Sequence, residues 1–168
     1  GIRDTSVTGV QTCALPISLI DIAVGKGGDI SKWRDSKLSF VLGIDVSPDN
    51  ITNRTDGACS RYIRYKQRMN GLFDAIFLHG DSSKLIKTGD AFTDENNRNI
   101  MHQLVSTTSK DDSQPFMVKK YYGIGRDGFD VVSCQFAMHY FFKDKLTLHR
   151  FLVNVSDMCK VGGYRSEE

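Results

Sequence analysis

The sequence lacks several features that would define its class. Its 168 residues contain only three prolines, four cysteines and one tryptophan, and no apolar run approaches the roughly 20 residues of a membrane-spanning helix. Cys13 lies in an adapter-like stretch described below. The other three, Cys59, Cys134 and Cys159, have no metal-ligand spacing and are odd in number, which favours a reducing compartment over a disulfide framework. The formal charge is only +2, so composition permits a polyanionic partner without requiring one.

The two ends of the chain have an unusual sequence. Residues 7–17 read VTGVQTCALPI, which resembles one reading frame of a common sequencing-library adapter, and residues 165–168 read RSEE, which matches the reverse complement of that adapter's end. We therefore expect 1–18 to be an adapter-derived or disordered extension, 165–168 an adapter-derived tail and 19–164 a partial domain. On this interpretation the natural sequence is cut at both ends.

Short apolar runs alternate with longer polar or amphipathic stretches, which is the pattern of a parallel sheet with crossover helices. The predicted strands are Leu19–Ala23, Phe40–Asp45, Ala75–His79 and Phe129–Gln135, with a fifth that begins near Tyr164. Right-handed crossovers then give the spatial order 3-2-1-4. The predicted fold is α/β, with the fifth strand truncated and the fourth left as an unpaired edge.

Two helices are predicted between the first three strands. A short one covers Asp29–Asp35. The next has Ser47 as its N-cap and Pro48 at its first position, and it is expected to continue to about Met69.

The second half of the chain predicts one long helix and one long connection. Lys143–Lys160 has apolar residues at helical spacing, and Gly162 and Gly163 are expected to end that helix. The connection 82–127 is rich in polar residues and contains a short helical pattern around Asn97–Val105. Its length predicts an elaboration on the rim of the sheet or a partly disordered segment.

The first strand leads into a glycine-rich turn, in the stretch LIDIAVGKGGDISKW at 19–33. Gly25, Gly27 and Gly28 would let a ligand approach main-chain N–H groups at the start of a helix. Asp45, at the end of the second strand, is placed to accept hydrogen bonds from ribose hydroxyls. These two features fit a nicotinamide dehydrogenase and an S-adenosylmethionine enzyme equally well.

The ends of the third and fourth strands separate these alternatives. HGDSS follows the third strand and places Asp81 where an adenine amino group would need an acceptor. SCQFAMHYFF follows the fourth strand and brings polar and aromatic side chains to the same rim. Both features favour the S-adenosylmethionine enzyme, because a dehydrogenase would leave Asp81 and Gln135 without a role.

The motifs DIAVGKGGDISKW, GIDVS, GDSS, SCQFAMHYFF and VGGY follow one another across nearly all of 19–164. Together they resemble the motifs of mRNA cap guanine-N7 methyltransferases, and the first two are most similar to the methyltransferase part of capping enzymes of large cytoplasmic DNA viruses. The resemblance implies a Rossmann-like, class I enzyme that transfers a methyl group from S-adenosylmethionine to N7 of the 5′ guanosine cap. It also implies cofactor-binding roles for Ala23, Gly25, Asp45, Asp81, Ser82, Gln135 and Tyr140.

The same resemblance implies a set of substrate contacts. Lys26, Lys32 and Arg61 would meet the cap phosphates, and His139 would touch the guanine. No metal and no catalytic acid or base is expected, because guanine N7 already presents a lone pair and methyl transfer depends on position and electrostatics. The chain departs from the family at Ala23-Val24, where Gly or Ala followed by Cys is usual.

Several alternatives stay open from the sequence. His139 could be a packed core residue, and the basic and aromatic run at 61–68 could be a solvated helix face or a contact to the RNA backbone. Trp33 is expected in the core. The chain could also methylate another RNA or a small molecule, or it could be a catalytically silent binding module of a capping complex.

The expected partners are the capped 5′ end of mRNA and further domains or subunits of a capping enzyme, with no membrane partner. The expected location is cytoplasmic, in a viral factory or virion, for a viral protein, and nuclear for a cellular enzyme. The fragment alone is expected to be inactive, because the fifth strand is expected to be lost and because the family's pocket also uses residues before the first strand and beyond the fifth.

Overall fold

The computed structural model describes residues 16–167, and its central feature is a five-stranded sheet. Neighbouring strands all run parallel, in the order β3-β2-β1-β4-β5. The predicted order of the first four strands is therefore confirmed. The strands are β1 (Ser18–Asp21), β2 (Phe40–Asp45), β3 (Asp74–His79), β4 (Phe129–Cys134) and β5 (Cys159–Glu167).

The middle of the sheet shows why these apolar runs form strands. All six residues of β2 are buried, as expected for a parallel strand that is covered on both faces. Gly43 in this strand is required by space, because an added Cβ would lie 2.6 Å from the Phe77 ring and 2.9 Å from a methyl group of Val24.

Within residues 16–167, six α-helices and one 3-10 helix surround the sheet. Ser47 caps α2 by accepting a hydrogen bond from the backbone N–H of Asn50 at 3.3 Å, and Pro48 occupies the first helical position, so both predictions are confirmed. The helices are α1 (Ile30–Asp35), α2 (Pro48–Thr52), α3 (Ala58–Arg68), α4 (Glu95–Val105), α5 (Phe116–Lys120), the 3-10 helix (Met138–Phe142) and α6 (Lys145–Met158).

The buried side chains form two clusters. One contains Trp33 of α1 and Ala58 of α3, together with residues of β1 and β2, and it confirms the core position of Trp33. The other contains apolar residues of α4, α5 and α6. Helices α1 and α3 thus pack in one cluster, and α4 to α6 pack in the other.

The connection 82–127 is packed rather than disordered. Ile86, Phe92, Met101 and Leu104 are fully buried in the second cluster, so this segment covers the sheet. Asp74 at the start of β3 also ties it down, since its carboxylate accepts hydrogen bonds from Lys120 and Tyr121 at 2.7 and 2.8 Å. Most large apolar residues of this polar segment are buried, with Phe116 as an exposed exception, and composition does not reveal this.

The predicted helix from Pro48 to about Met69 is wrong in its continuity. It is two helices, with a loop at 53–57 between α2 and α3. Asn53 stabilises the break, because its side-chain oxygen accepts the backbone N–H groups of Thr55 and Asp56. Gly57 is needed there, since an added Cβ would lie 2.7 Å from the backbone of Asn53.

The expected loss of the fifth strand is also wrong. α6 ends at Met158 and β5 begins at once, paired with β4 as far as Cys134. Gly162 and Gly163 do not end the helix; they lie at an irregularity of β5, where the register shifts between its first and later pairs. The predicted unpaired edge on β4 is therefore covered.

The predicted domain boundaries fall largely at the ends of the described part. Most of the expected extension 1–18 lies outside it, although Ser18 already belongs to β1 and donates from its backbone and hydroxyl to Asp130. The expected tail 165–168 contributes residues 165–167 to β5. Within 16–167 no helix is both long and apolar enough to cross a membrane.

Candidate functional site

A cavity of about 380 Å³ lies at the carboxyl ends of β1, β2 and β3. This is the edge at which open α/β sheets bind ligands. We call it the rim cavity. Six of the seven residues with predicted cofactor roles line it, namely Ala23, Gly25, Asp45, Asp81, Ser82 and Tyr140.

The glycine turn forms one wall of the rim cavity. Gly25 has a φ of +54°, and a Cβ added there would meet no atom within 4 Å, so the residue is needed for its conformation rather than for space. Gly27 has a φ of +71°, and a Cβ added there would lie 3.0 Å from the Ile30 side chain and 3.4 Å from the Cα of Ala58 at the start of α3. Gly28 has neither constraint, so only two of the three glycines are required by the fold.

Asp45 connects this turn to β2. Its carboxylate accepts a hydrogen bond from the Gly25 backbone N–H at 2.8 Å, and two more from the Ser47 backbone and the Asn50 side chain at 2.9 Å. The residue is 8% exposed and lines the cavity. These three donors fix the carboxylate in place, and its remaining acceptor capacity is available to a ligand hydroxyl.

The loop after β3 forms the opposite wall. Asp81 accepts hydrogen bonds from the backbone and hydroxyl of Ser83, at 3.0 and 2.6 Å. The neighbouring Ser82 hydroxyl is buried and has no hydrogen-bond partner within the described residues. Because a buried polar atom without a partner is costly, this hydroxyl indicates a ligand that supplies one.

Asn154 of α6 holds that loop in position. Its side chain donates to the carbonyl oxygens of Ser82 and Lys84, at 2.9 and 2.7 Å, and accepts the backbone N–H of Ile86 at 2.9 Å. Asn154 is 2% exposed, and the sequence analysis missed it. The signal that could have found it is a polar residue among the apolar positions of a helix.

Asp21, at the end of β1, was missed as well. It is 2% exposed, and its carboxyl accepts hydrogen bonds from the Ala23 backbone at 3.0 Å and the Ser133 hydroxyl at 3.2 Å. Burial, with smaller contributions from Asp29 and Asp45, raises the pKa of Asp21 to about 7 despite those two bonds. The aspartate inside the motif DIAVG was the available signal.

The 3-10 helix closes the cavity from the side of β4. Phe141 is buried and stacks on Phe151 of α6, with ring centroids 4.6 Å apart, which anchors the segment. Tyr140 lines the cavity while 70% exposed. His139 is exposed with its ring 4.0 Å from that of Tyr140, so it is not a packed core residue.

Gln135 and Lys32 lie elsewhere. Both line a second depression of about 310 Å³, together with Asp29 and Trp33. The Gln135 amide donates to the backbone and hydroxyl oxygens of Ser166 at 3.1 and 3.0 Å. The expectation that Gln135 closes the cofactor pocket is therefore not supported by this geometry.

Lys26 of the glycine turn and Arg61 of α3 both lie near Asp56. The Lys26 ammonium contacts Asp56 at 2.8 Å and Asp49 at 3.5 Å. The hydrogen bond to Asp56, reinforced by both negative charges, raises the pKa of Lys26 above its usual value. Arg61 lines a separate groove that also includes Asp56.

The residues of this site can position a ligand and form hydrogen bonds with it. Among the described residues no group of three or more His, Cys, Asp or Glu side chains could hold a metal ion. The rim cavity offers the fixed carboxylates of Asp45 and Asp81, and next to Asp81 the unpartnered hydroxyl of Ser82.

Comparison with known proteins gives the family. The model of the mRNA (guanine-N(7))-methyltransferase domain matches residues 5–165. The chain belongs to this family. Its five-stranded order and its family together define a class I methyltransferase fold, and the enzymes of this family depend on S-adenosylmethionine.

Individual relatives come from both viruses and cells. The chain is 27% identical to a probable mRNA-capping enzyme of Acanthamoeba polyphaga mimivirus, over 87% of this chain and 11% of that protein. It is 29% identical to an mRNA cap guanine-N(7) methyltransferase of Caenorhabditis elegans, over 86% and 29%. It is 28% identical to mRNA cap guanine-N(7) methyltransferase 1 of Arabidopsis thaliana, over 87% and 31%. The chain thus spans less than a third of the length of each of these relatives.

Proposed function

We propose that this chain is the S-adenosylmethionine-binding part of an mRNA cap guanine-N7 methyltransferase, with the cofactor in the rim cavity. The observation that carries the proposal is the pairing, in one cavity, of the fixed Asp45 carboxylate with the unpartnered Ser82 hydroxyl. The family match and the cap methyltransferases among the relatives support the same substrate.

The residues of the cavity fit the parts of such a ligand. Asp45 would accept from the ribose hydroxyls, Asp81 would accept from the adenine amino group, and the Ser82 hydroxyl would gain its missing partner at the adenine. Ala23 and Gly25 would line the methionine portion, and the space beside Gly25 is open, since an added Cβ would meet no atom within 4 Å.

The proposed reaction does not require a catalytic acid or base from the protein. The sulfonium of the cofactor supplies an activated methyl group, so a bond to guanine N7 can form while the sulfur–carbon bond breaks and sulfur keeps the electron pair. The chain's own contribution is then to position both groups and to exclude water from their approach. Tyr140 and His139 stand at the side of the cavity from which a guanine would enter.

The cap-side assignments rest on charge. Lys26 would meet the cap phosphates, which requires that it exchange Asp56 and Asp49 for them. Arg61 lies next to Asp56 in the adjoining groove and would extend the same contact. Lys32 lies in the second depression with Asp29, 2.8 Å from its carboxylate, so its part in cap binding has less geometric support.

The test is methyl transfer to a capped transcript. The chain should be incubated with labelled S-adenosylmethionine and capped RNA, beside the Asp45→Asn variant and the full-length gene product. We expect the full-length protein to label guanine N7 in a cap-dependent reaction. The Asp45→Asn substitution should abolish this labelling. Cofactor binding without any methylation by a folded full-length protein would instead identify a silent module of a capping complex.

The inactivity predicted for the 168-residue chain depended partly on the absence of the fifth strand. Because β5 is present and paired with β4, that reason for inactivity no longer applies.

The site of action would be the cytoplasm for a viral protein or the nucleus for a cellular one. Further capping-enzyme domains are the proposed partners, since the relatives are much longer than this chain.

A further inference from the structure

The exposed face of α3 carries a row of arginines. Arg61, Arg64 and Arg68 are spaced three and four residues apart, so their side chains leave the helix on the same face. The row covers about 10 Å along the helix axis. It is an extended charged strip rather than a point charge.

These arginines line a groove of about 460 Å³ beside the helix. Tyr65 lies between them in sequence, and both Tyr65 and Met69 also line the groove. The Arg34 guanidinium of α1 contacts the Met69 sulfur at 3.7 Å and is itself paired with Asp35 at 2.6 Å.

The charge of the row is not neutralised within the described part of the chain. No carboxylate in residues 16–167 lies within ion-pair distance of Arg61, Arg64 or Arg68. The Arg64 guanidinium donates only to the backbone carbonyl of Thr55, at 2.6 Å. A single carboxylate, that of Asp56, lines the groove, and it is already bound to Lys26.

The groove continues toward the rim cavity. Asp56 belongs to the lining of the groove and contacts the ammonium of Lys26, and Lys26 follows Gly25 of the cavity wall. A polyanion that displaced Asp56 from Lys26 would therefore lie with one end at the rim cavity and its length along α3.

We propose that this groove binds the single-stranded RNA that follows the cap, with Arg64 and Arg68 at backbone phosphates and Tyr65 against a base. The inference rests on the proposed function for the position of the cap and goes beyond it in assigning the RNA body. A basic groove with an interleaved aromatic ring is the usual means of holding a single strand without reading its sequence. An acidic protein segment would use the arginines but would give no role to the ring.

The test compares RNA length, salt and charge. Binding of the full 168-residue chain to a cap dinucleotide and to a capped RNA of about ten nucleotides is measured by fluorescence anisotropy over a range of salt. The double variant Arg64→Gln, Arg68→Gln removes two proposed phosphate contacts. The matched control is Lys87→Gln, Lys110→Gln, which removes the same charge from the 82–127 connection, whose apolar residues pack in the other core cluster.

We expect the wild-type chain to bind the longer RNA more tightly than the cap dinucleotide. With a salt slope of about −0.7 per phosphate of a single strand, loss of two contacts should lower the slope by about 1.4 and the affinity at about 0.1 M salt by roughly 25-fold. The affinity for the cap dinucleotide should stay unchanged in the double variant, and the control pair should leave both affinities nearly intact.

The outcomes separate this inference from the proposed function. S-adenosylhomocysteine binding, measured on the same samples, reports on the rim cavity and on folding independently of the groove. Equal affinity for short and long RNA, or equal losses in the double variant and the control, would overturn the groove assignment while leaving cofactor binding in place. Equally tight binding of a poly-glutamate peptide, lost in the double variant, would reassign the groove to an acidic protein and overturn it too.

Discussion

Replacing Asp21 by asparagine should remove a pH-dependent weakness of the fold. The carboxyl is buried at the end of β1, and burial raises its pKa from 3.8 to about 7. In the unfolded chain the same group ionises near its ordinary value. Since the folded pKa is the higher one, the group's contribution is fully favourable below the unfolded pKa and is lost as the pH rises through about 7.

The size of the effect follows from the two pKa values. As the pH rises from about 5 to about 8, a pKa of 3.8 in the unfolded chain and about 7 in the folded chain should lower the free energy of unfolding by roughly 2 to 3 kcal/mol. Asparagine has nearly the same shape, can accept from the Ala23 backbone and can donate to the Ser133 hydroxyl, so it should keep the local geometry. The variant should lose this pH dependence and be the more stable protein above pH 7.

The assay is denaturant unfolding of both proteins at about pH 5 and about pH 8. For each protein, the change in unfolding free energy between the two pH values is determined. The variant's change is then subtracted from that of the wild type, because the contributions of the other titrating groups cancel in this difference. A difference of roughly 2 to 3 kcal/mol is expected. Equal pH dependence in the two proteins would refute the reasoning, since it would mean that Asp21 ionises normally inside the sheet.

Four further substitutions test the rim cavity and its surroundings. Ser82→Ala should keep or slightly raise the melting temperature, because the hydroxyl has no partner to lose, yet weaken S-adenosylhomocysteine binding in calorimetry. Asp45→Asn should weaken the same binding by about 1.5 to 3 kcal/mol, the usual magnitude for a hydrogen bond to a charged group; unchanged affinity would count against the ribose role. Asn154→Ala should lower the free energy of unfolding by about 2 to 5 kcal/mol, because three backbone groups lose a buried partner; denaturant unfolding with less than 1 kcal/mol of change would contradict this. Asp56→Asn should tighten binding of capped RNA in anisotropy and steepen its salt dependence, because Lys26 then has only the longer ion pair with Asp49 to exchange; weaker binding would contradict this.

The order of the sheet and the position of the cavity could be predicted because each depends on a short local pattern. Phe40–Asp45 is a buried run of strand length followed by a helix cap at Ser47, and the structure has the same bounds. The carboxyl ends of parallel strands meet at one edge, so Gly25, Asp45 and Asp81 had to lie near one another once the order was known.

The parts that failed depend on contacts between distant segments. Gly162 and Gly163 look like a helix stop, but the pairing of β5 with β4 takes them into a strand instead. Gln135 follows β4 directly, yet its amide bonds to Ser166 across the sheet, which no local pattern indicates. Asn154 is separated by about seventy residues from the backbone groups it holds, so its role becomes visible only in the packed structure.

The central claim is that the rim cavity binds S-adenosylmethionine, and calorimetric titration of the 168-residue chain with S-adenosylhomocysteine tests it most directly. Titration with NAD under the same conditions is the matched comparison, because a dehydrogenase would also use a glycine turn and an acidic residue such as Asp45. The account predicts saturable binding of S-adenosylhomocysteine, one molecule per chain and weakened by Asp45→Asn, with no binding of NAD. A chain that unfolds cooperatively yet binds no S-adenosylhomocysteine, or binds NAD equally well, would contradict it.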